Sequence, residues 1–372
     1  MTEPHLWLRH ETRTTERRTP VVPSDARRLV EAGVTLTVEE SPQRIFPSEA
    51  YEAVGCRVVE AGSWTDAPTD AVIVGLKELP DGPDGPGELR HRHIFFGHAY
   101  KAQPGAGALL RRFVAGGGTL FDLEYLVDAD GRRLAAFGYW AGYVGAALAV
   151  LHHRGRLTAP LRPTSKEELD GGLHPAPGDE RFTSLVIGAL GRSGRGARAA
   201  LAEAGLEPAG WDLAETRALD RPALLAHELM VNTVLTTGPS TPFLTDKDLD
   251  EPDRRLRTVC DVTCDVGSPY NVLPVYDTVT DWADPVRRLH ERPALDLIAI
   301  DNLPSLLPEE ASTDFSAALT PQLLEFGVGG AWVRCLDRFT EACRALNPTD
   351  ASTDAPTDAP AGGPTDGESD DA

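Results

Sequence analysis

One stretch in the middle of the chain limits the possible folds more than any other. Residues 183–216 contain a β-rich run, a turn crowded with glycines, a run of helix-forming residues and a second β-rich run. The first run covers 183–187, and Trp211 and Asp212 end the second. We therefore predict a strand, a tight turn, a helix over 197–204 and a second strand.

The glycine-rich turn predicts a dinucleotide site. Glycine lets the backbone approach a pyrophosphate closely, and the following helix offers free N–H groups at the positive end of its dipole. Asp212 lies 18 residues after Gly194, about where a carboxylate would bind a ribose 2′-hydroxyl. The glycine spacing departs from G-x-G-x-x-G, so a turn that needs glycine only for its geometry stays an alternative.

Length and charge limit the class of protein further. A chain of 372 residues can form two domains that each bury a core. The net charge of −21 disfavours nucleic acid as a partner, because phosphate binding needs a basic field. Residues 348–372 contain seven acids, no base and repeated Pro-Thr-Asp units, which predicts a disordered acidic tail.

Neither the apolar segments nor the cysteines point to a membrane or a metal. Residues 134–151 carry no charge but barely reach the length of a spanning helix, and a buried helix between domains explains them better. The start of the chain has no long apolar segment, and the five cysteines show no framework spacing, so we expect a cytoplasmic protein. Cys260 and Cys264 could bind metal, but no second pair or nearby histidine completes a site.

Strand and helix patterns alternate along the first third of the chain. Three almost wholly apolar runs are typical of parallel strands that are covered on both faces. They lie at 71–76, 94–97 and 119–123. Because alternating β and α elements favour parallel sheets, we predict an α/β fold of two Rossmann-like, doubly wound parallel sheets with a cleft between them.

Charged side chains follow these three strands. Lys77 and Glu78 come directly after the first run, His98 after the second and Glu124 after the third. In open α/β sheets, ligands bind beyond the carboxyl ends of the strands. We therefore expect a base, an imidazole and two carboxylates to face one crevice, although solvated loop residues are the alternative for each of them.

The domain boundaries follow from the same pattern. We assign residues 1–137 and 305–347 to one domain and 138–304, which contain the glycine turn, to the other. A final helix carries an apolar stripe that we expect to pack on the first domain. The stripe consists of Trp332, Leu336, Phe339, Cys343 and Leu346.

Eight blocks of sequence resemble one known family. In chain order they are LRHETRTTERRTPVVP (8–23), VGLKELP (74–80), FGHAYKAQPG (96–105), GTLFDLEYL (118–126), GRRLAAFGYWAGYVGAAL (131–148), VIGALGRSGRGA (186–197), RRLRTVCDVTCD (254–265) and IDNLPSLLPEEAS (300–312). Together they resemble the NAD-dependent, lysine-forming saccharopine dehydrogenases, relatives of alanine dehydrogenase and of the transhydrogenase N-terminal region. The resemblance extends from about residue 6 to 345.

The resemblance implies oxidation of saccharopine by NAD⁺ and water to lysine, 2-oxoglutarate and NADH. It implies that Lys77 is the base and His98 the acid, and that Glu78 and Glu124 adjust the charge balance of the lysine. The substrate positions would be Arg18, Lys77, Lys101, Gln103, Arg133, Phe137, Thr263, Cys264 and Asp265. The NAD positions would be Arg132, Gly191, Arg192, Asp212, Thr216, Leu235, Val262, Ile300, Asp301, Asn302 and Leu303.

Some positions depart from the family pattern. Ser193 and Thr233 stand where fungal members carry two cysteines that can form a disulfide, so that bridge is absent. Arg13 replaces an early lysine, and Asn302 replaces the histidine of Asp-His-Leu-Pro.

The residues at 263 and 264 bear on the substrate. Thr-Cys replaces the usual serine-alanine pair there. This departure keeps open a related amino-acid or opine-type dehydrogenase with another small-molecule substrate. The retained lysine and histidine argue against a third possibility, a metabolite sensor without turnover. The family resemblance also favours a monomer.

Overall fold

The computed structural model describes residues 4–80, 85–100, 105–236 and 238–346, which form two six-stranded sheets with helices packed against them. The predicted acidic tail, 348–372, lies outside the described residues. The strands of the first sheet are β1 (His5–Leu8), β2 (Thr35–Glu39), β3 (Arg57–Val59), β4 (Val72–Val74), β5 (Arg92–Phe95) and β6 (Thr119–Asp122). All neighbouring pairs are parallel, in the order β3-β2-β1-β4-β5-β6.

The first sheet has the strand order of a doubly wound dinucleotide fold. Its helices include α1 (Pro23–Glu31), α2 (Ser48–Glu52) and α3 (Ala106–Gly116). The order reverses between β1 and β4, so the chain segments that leave these two strands diverge and open a crevice. Arg9 follows β1 at this point, and Gly75 follows β4.

The second sheet is parallel except at one edge. Its strands are β7 (Ser184–Ile187), β8 (Ala209–Trp211), β9 (Leu229–Asn232), β10 (Thr258–Asp261), β11 (Arg287–Glu291) and β12 (Ala294–Ile298), in the order β11-β12-β10-β9-β7-β8. Strand β11 runs antiparallel to β12 and has no counterpart in the sequence prediction. None of its five residues is buried, so its sequence RRLHE lacks the apolar run of a strand that is covered on both faces. The predicted α/β class with two parallel-dominated sheets is confirmed.

The uncharged segment forms a helix in the core of the second sheet. Helix α4 (Gly138–His153) is buried over most of its length and packs against α6 (Arg192–Glu203). Further helices here are α5 (Lys166–Leu173), α7 (Leu213–Arg217), α8 (Arg221–Leu225) and α9 (Asp246–Leu249). None of the helices in the described ranges has the length and apolar character that a membrane span requires.

Helix α6 begins at Arg192, so the prediction of its start at residue 197 was wrong by more than a turn. The sequence prediction assigned Gly194 and Gly196 to the turn, but they lie within the helix. A Cβ at Gly194 would lie 2.0 Å from the carbonyl oxygen of Gly188, and one at Gly196 would lie 1.9 Å from that of Tyr139. These two glycines allow close packing rather than a special backbone conformation.

We expect Gly142→Ala to destabilise the protein, because its Cβ would lie 1.8 Å from the carbonyl oxygen of Ser193 at the α4–α6 contact. Overpacking of this kind costs about 1–3 kcal/mol of unfolding free energy. Gly171→Ala is the control, since a Cβ there meets nothing within 4 Å in helix α5. Urea unfolding of both variants measures the difference, and wild-type stability for Gly142→Ala would contradict the packing.

The C-terminal helices return to the first sheet. Helix α10 (Pro308–Leu324) contributes Phe315 to the hydrophobic core on the first sheet. Helix α11 (Gly330–Ala345) packs on β6 of the same sheet and on α3, as predicted. Within the predicted stripe Leu336 is exposed, and Cys335 is the buried residue instead. The domain boundaries themselves stay a prediction.

Candidate active site

A cleft of about 240 Å³ lies where the carboxyl ends of strands from both sheets meet. Lys77 follows β4, His98 follows β5, and the segments after β10 and β12 form the opposite wall. The structure thus brings together many of the residues predicted from the sequence. The predicted residues that line the cleft are Arg18, Lys77, His98, Arg133, Phe137, Val262, Thr263, Cys264, Ile300, Asp301, Asn302 and Leu303.

Unusual backbone conformations are concentrated in this cleft. Among the described residues, the non-glycine residues with positive φ are His98 (48°), Cys264 (50°) and Asn302 (77°), and all three line it. Such residues cost energy and persist where the surrounding structure holds them, often at functional sites. The backbone geometry therefore points to the same place as the side chains.

The amine of Lys77 lies in an environment that lowers its pKa. Burial has the largest effect, and the positive charges of Arg18 and Arg13 act in the same direction. The carboxylates of Asp301 and Glu16 oppose them, but the net pKa is below the usual value. A lysine of this kind is more readily neutral, as a general base must be.

His98 lies beside Glu124, as the strand-end rule predicts. Nδ1 of His98 is 3.3 Å from Oε2 of Glu124. This hydrogen bond is the main cause that raises the pKa of His98, against the effect of burial and of the charge on Lys77. The imidazole is therefore more readily protonated than a free histidine, which suits an acid.

Glu124→Gln should lower the pKa of His98, since the amide cannot supply the negative charge that favours the imidazolium. An NMR titration of the His98 ring measures the pKa directly. Glu88→Gln, at an exposed site where Glu88 pairs with Arg90, serves as a control and should leave it unchanged. An unaltered titration of His98 in Glu124→Gln would show that Glu124 does not set its pKa.

Arg18 is already held by other residues of the cleft. Its Nε and Nη2 donate to the two carboxylate oxygens of Glu16 at 2.8 and 2.6 Å, and Nη2 also donates to Oδ1 of Asn302. The guanidinium lies 4.0 Å from the ring centre of Phe137, which stacks on Phe315. Arg18 can therefore offer a ligand Nη1, the atom that neither Glu16 nor Asn302 uses.

The other predicted carboxylate, Glu78, is placed differently from Glu124. It is exposed and accepts a hydrogen bond from Arg13 at 3.1 Å, while Arg13 also donates to Asp301 at 2.8 Å. Arg13 thereby links the segment after β1 to the segment after β12. The carboxylates that act on the pKa of Lys77 are Asp301 and Glu16, and tuning by Glu78 stays a prediction.

A buried network supports the wall formed by Thr263 and Cys264. Asp261, fully buried at the end of β10, accepts hydrogen bonds from the main chain of Thr263 (2.9 Å) and from its hydroxyl (2.7 Å). Asn232 and Tyr276 donate to the same carboxylate at 3.0 and 2.7 Å. These bonds hold the loop in which Cys264 takes its left-handed conformation.

The glycine turn has the features that a dinucleotide requires. Gly188 follows β7 with φ of 82°, and Gly191 directly precedes helix α6. Arg192, in the first turn, donates to the carbonyl oxygen of Arg133 at 3.0 Å, which places the start of the helix beside the cleft. Free N–H groups at a helix start, with glycines that permit close approach, fit a pyrophosphate.

Asp212 lies at the end of β8, next to this turn. Its Oδ2 accepts from the main chain of Leu190 at 2.9 Å and its Oδ1 from Leu213 at 3.0 Å. Thr216 donates through its hydroxyl to the carbonyl oxygen of Asp212 at 2.9 Å. The side chain also accepts from the main chain of Glu215 in the cap of helix α7. A carboxylate has about four acceptor sites, so one stays for a ribose hydroxyl.

Several predicted residues are not brought into the cleft. Arg132 points to solvent, Leu235 is exposed after β9, and Asp265 follows Cys264 outside the lining. Lys101 and Gln103 lie outside the described residues. Glu16 was not predicted, although it belongs to the charged run after β1, where the strand-end rule that singled out Lys77 also applies.

The cysteines and acidic side chains of the described residues do not form a metal site. Within 4–80, 85–100, 105–236 and 238–346, no group of three or more His, Cys, Asp or Glu side chains is placed to hold a metal ion. The five cysteines are free, and burial raises the pKa of the Cys260 and Cys264 thiols. Thr233, at the position of a fungal cysteine, donates instead to the carbonyl oxygen of Ile187 at 2.8 Å.

The two sheets, the glycine turn and the cleft between them define the structural class of alanine dehydrogenase and transhydrogenase. An L-alanine dehydrogenase structure matches with a TM-score of 0.65 at 16% identity, covering 93% of this chain and 97% of its own. A Sinorhizobium meliloti transhydrogenase matches with a TM-score of 0.62 at 16% identity, covering 87% and 94%. Residues 7–144 match the family described as alanine dehydrogenase/PNT, N-terminal domain.

Sequence similarity defines the family more narrowly. Saccharopine dehydrogenase (NAD⁺, L-lysine-forming) of Schizosaccharomyces pombe is 40% identical over 358 residues, which cover 90% of this chain and 97% of the relative. The chain belongs to the family of NAD⁺-dependent, lysine-forming saccharopine dehydrogenases. The resemblance seen in the eight sequence blocks is confirmed.

Proposed function

We propose that this protein oxidises saccharopine with NAD⁺ and water to lysine, 2-oxoglutarate and NADH. The observation that carries the proposal is the presence of Lys77 and His98 in one cleft, close enough for the charge on the lysine to affect the pKa of the histidine. Membership of the saccharopine dehydrogenase family supports the choice of substrate.

The first step concerns the secondary amine of the substrate. Lys77 in its neutral form takes a proton from the secondary ammonium group, which leaves a lone pair on nitrogen. NAD⁺, when bound, would supply the acceptor for the hydride of the adjacent carbon. Because only the neutral amine can act, the pKa of Lys77 sets the pH above which the rate is high, and the surroundings that lower this pKa extend the active range to lower pH.

The second step is hydrolysis of the resulting imine. Water adds its oxygen to the imine carbon as His98 takes a proton from the water. His98 then returns that proton to the amine nitrogen. The neutral imidazole next takes the proton of the carbinolamine hydroxyl as the carbon–nitrogen bond breaks, which releases lysine and leaves the ketone of 2-oxoglutarate. A histidine fits these transfers because its two forms are both populated near neutral pH.

Two arginines would bind the substrate carboxylates. Arg133 is exposed in the cleft lining, and Arg18 offers Nη1. A guanidinium paired with a carboxylate gives both charge and direction. We assign the glycine turn, Arg192 and Asp212 to NAD, and we propose a monomer.

Asp212→Ser should weaken the preference for NAD over NADP. Serine can still cap helix α7, as Asp212 does, but it lacks the negative charge that repels a 2′-phosphate. The ratio of kcat/KM for NAD to that for NADP is expected to fall by roughly 10-fold, which corresponds to the loss of one hydrogen bond to a charged group. Asp220→Ser, at the equivalent cap of helix α8, is the control, and an unchanged ratio in Asp212→Ser would contradict the assignment.

The substrate is tested by initial rates of NADH formation with saccharopine, alanine and other amino acids. Turnover with saccharopine well above that with alanine supports the proposal. A preference for another amino acid would favour the related dehydrogenase that the Thr263-Cys264 departure keeps open, and binding without any turnover would indicate a sensor.

A further inference from the structure

A buried glutamate holds the main chain of the proposed catalytic lysine. Glu11 lies three residues after the end of β1, and its side chain is 6% exposed. Its Oε1 accepts from the main-chain N–H of Leu76 at 2.6 Å, and its Oε2 accepts from that of Lys77 at 3.0 Å. One carboxylate thus binds the two consecutive N–H groups that end at the lysine.

A buried arginine holds the peptide group on the other side of Lys77. Nη2 of Arg9 donates to the carbonyl oxygen of Lys77, and Nη1 lies 3.4 Å from Oε2 of Glu11. The Arg9 side chain is 1% exposed. A Cβ at Gly75 would lie 2.4 Å from Nε of Arg9, so this approach requires glycine at that position.

The place of the pair in the fold explains why these groups need partners. Beyond Val74, strand β4 no longer pairs with β1, because the chain segments diverge where the strand order reverses. The N–H and C=O groups of Lys77 would be left without ladder partners in a largely buried position, which is costly. A buried ion pair is rarely more stable than an apolar pair of similar volume, so its retention calls for another reason.

We propose that Arg9 and Glu11 are positioning residues that clamp both peptide groups of Lys77 and so fix its amine in the cleft. The inference rests on the proposed role of Lys77 as the base. With N–H and C=O both held, the Cα of Lys77 cannot shift towards the widening crevice. A displacement of the reacting group by about 1 Å can lower a rate by ~100-fold.

Glu11→Gln tests the clamp. Glutamine keeps the size of the side chain but places an NH₂ group against one of the two N–H donors and removes the charge opposite Arg9. The control is Glu39→Gln, because Glu39 is equally buried and accepts only N–H groups, those of Trp7, His10, Gly62 and Trp64. We expect Glu11→Gln to lower kcat by roughly 10- to 100-fold with unchanged NADH affinity.

The pH profile separates positioning from general destabilisation. Lys77 faces Asp301, Glu16, Arg18, Arg13 and His98, and burial among them lowers its pKa. If the clamp is lost, the amine becomes more hydrated and its pKa rises, so the acid limb of kcat/KM moves to higher pH. Glu39→Gln should not shift the acid limb of the kcat/KM profile, even if it lowers the unfolding temperature as much as Glu11→Gln does.

The variants separate the role of the clamp from the role of Lys77 itself. Equal rates and pH limbs in Glu11→Gln and Glu39→Gln at matched stability would overturn the clamp. Full turnover of Lys77→Met would instead overturn the proposed role of the lysine. If Glu11→Gln does not fold, Arg9→Lys is compared with Arg254→Lys. Arg254 is also buried and holds main-chain carbonyl groups at the end of α9 and in the loops beside β10 and β12. A rate loss confined to Arg9→Lys supports the clamp, and equal rates overturn it.

Discussion

Lys77→Met lowers kcat by roughly 100- to 10,000-fold in our account, the usual contribution of a general base. Methionine fills a similar volume but has no group that can accept the proton of the secondary ammonium. The glycine turn, Arg192 and Asp212, which we assign to NAD, belong to the other sheet and do not line the cleft beside Lys77, so NADH should still bind with an affinity close to that of wild type.

The control for this substitution is Lys166→Met, which removes a lysine from helix α5, where it pairs with Asp170. Steady-state rates with saccharopine and a fluorescence titration with NADH measure the two effects separately. Turnover close to that of wild type in Lys77→Met would remove the base from the mechanism. A loss of NADH binding would show that the lysine serves the cofactor instead.

His98→Gln is expected to have the second-largest effect, again on the order of 100-fold or more in kcat. Glutamine can keep a hydrogen bond to Glu124, but it cannot change its protonation state near neutral pH. Hydrolysis of the imine should therefore become the slow step. A rapid first formation of NADH, followed by slow turnover, would be seen in a stopped-flow experiment.

His174→Gln, at an exposed histidine that follows helix α5, is the matched control. Imine hydrolysis follows hydride transfer. If the first formation of NADH by His98→Gln is as slow as its steady-state turnover, His98 acts in the oxidation step and not in hydrolysis. Wild-type steady-state rates in His98→Gln would remove it from the mechanism altogether.

Local rules predicted much of the fold and part of the site. Apolar runs located β4, β5 and β6, and the rule for strand ends identified Lys77, His98 and Glu124. The same rules failed where tertiary contacts decide the structure. Glycines at 194 and 196 are needed for close packing within helix α6, and a single sequence cannot distinguish such glycines from those of a turn.

Pairing between distant segments could not be predicted. Arg18 binds Asn302, and Arg13 binds Asp301, although nearly 300 residues separate the partners. These contacts arise because two sheets present their carboxyl ends to each other, and no local pattern encodes which charge meets which. Arg18 was therefore assigned to the substrate and Asn302 to the cofactor, without the contact between them.

The central claim is that this cleft converts saccharopine into lysine, and the products of wild-type turnover test it most directly. Purified protein is incubated with saccharopine and NAD⁺, and lysine, 2-oxoglutarate, NADH and ammonia are quantified together. The account predicts equal amounts of lysine, 2-oxoglutarate and NADH without ammonia. Release of ammonia in place of lysine, or NADH formation only with another amino acid, would contradict it.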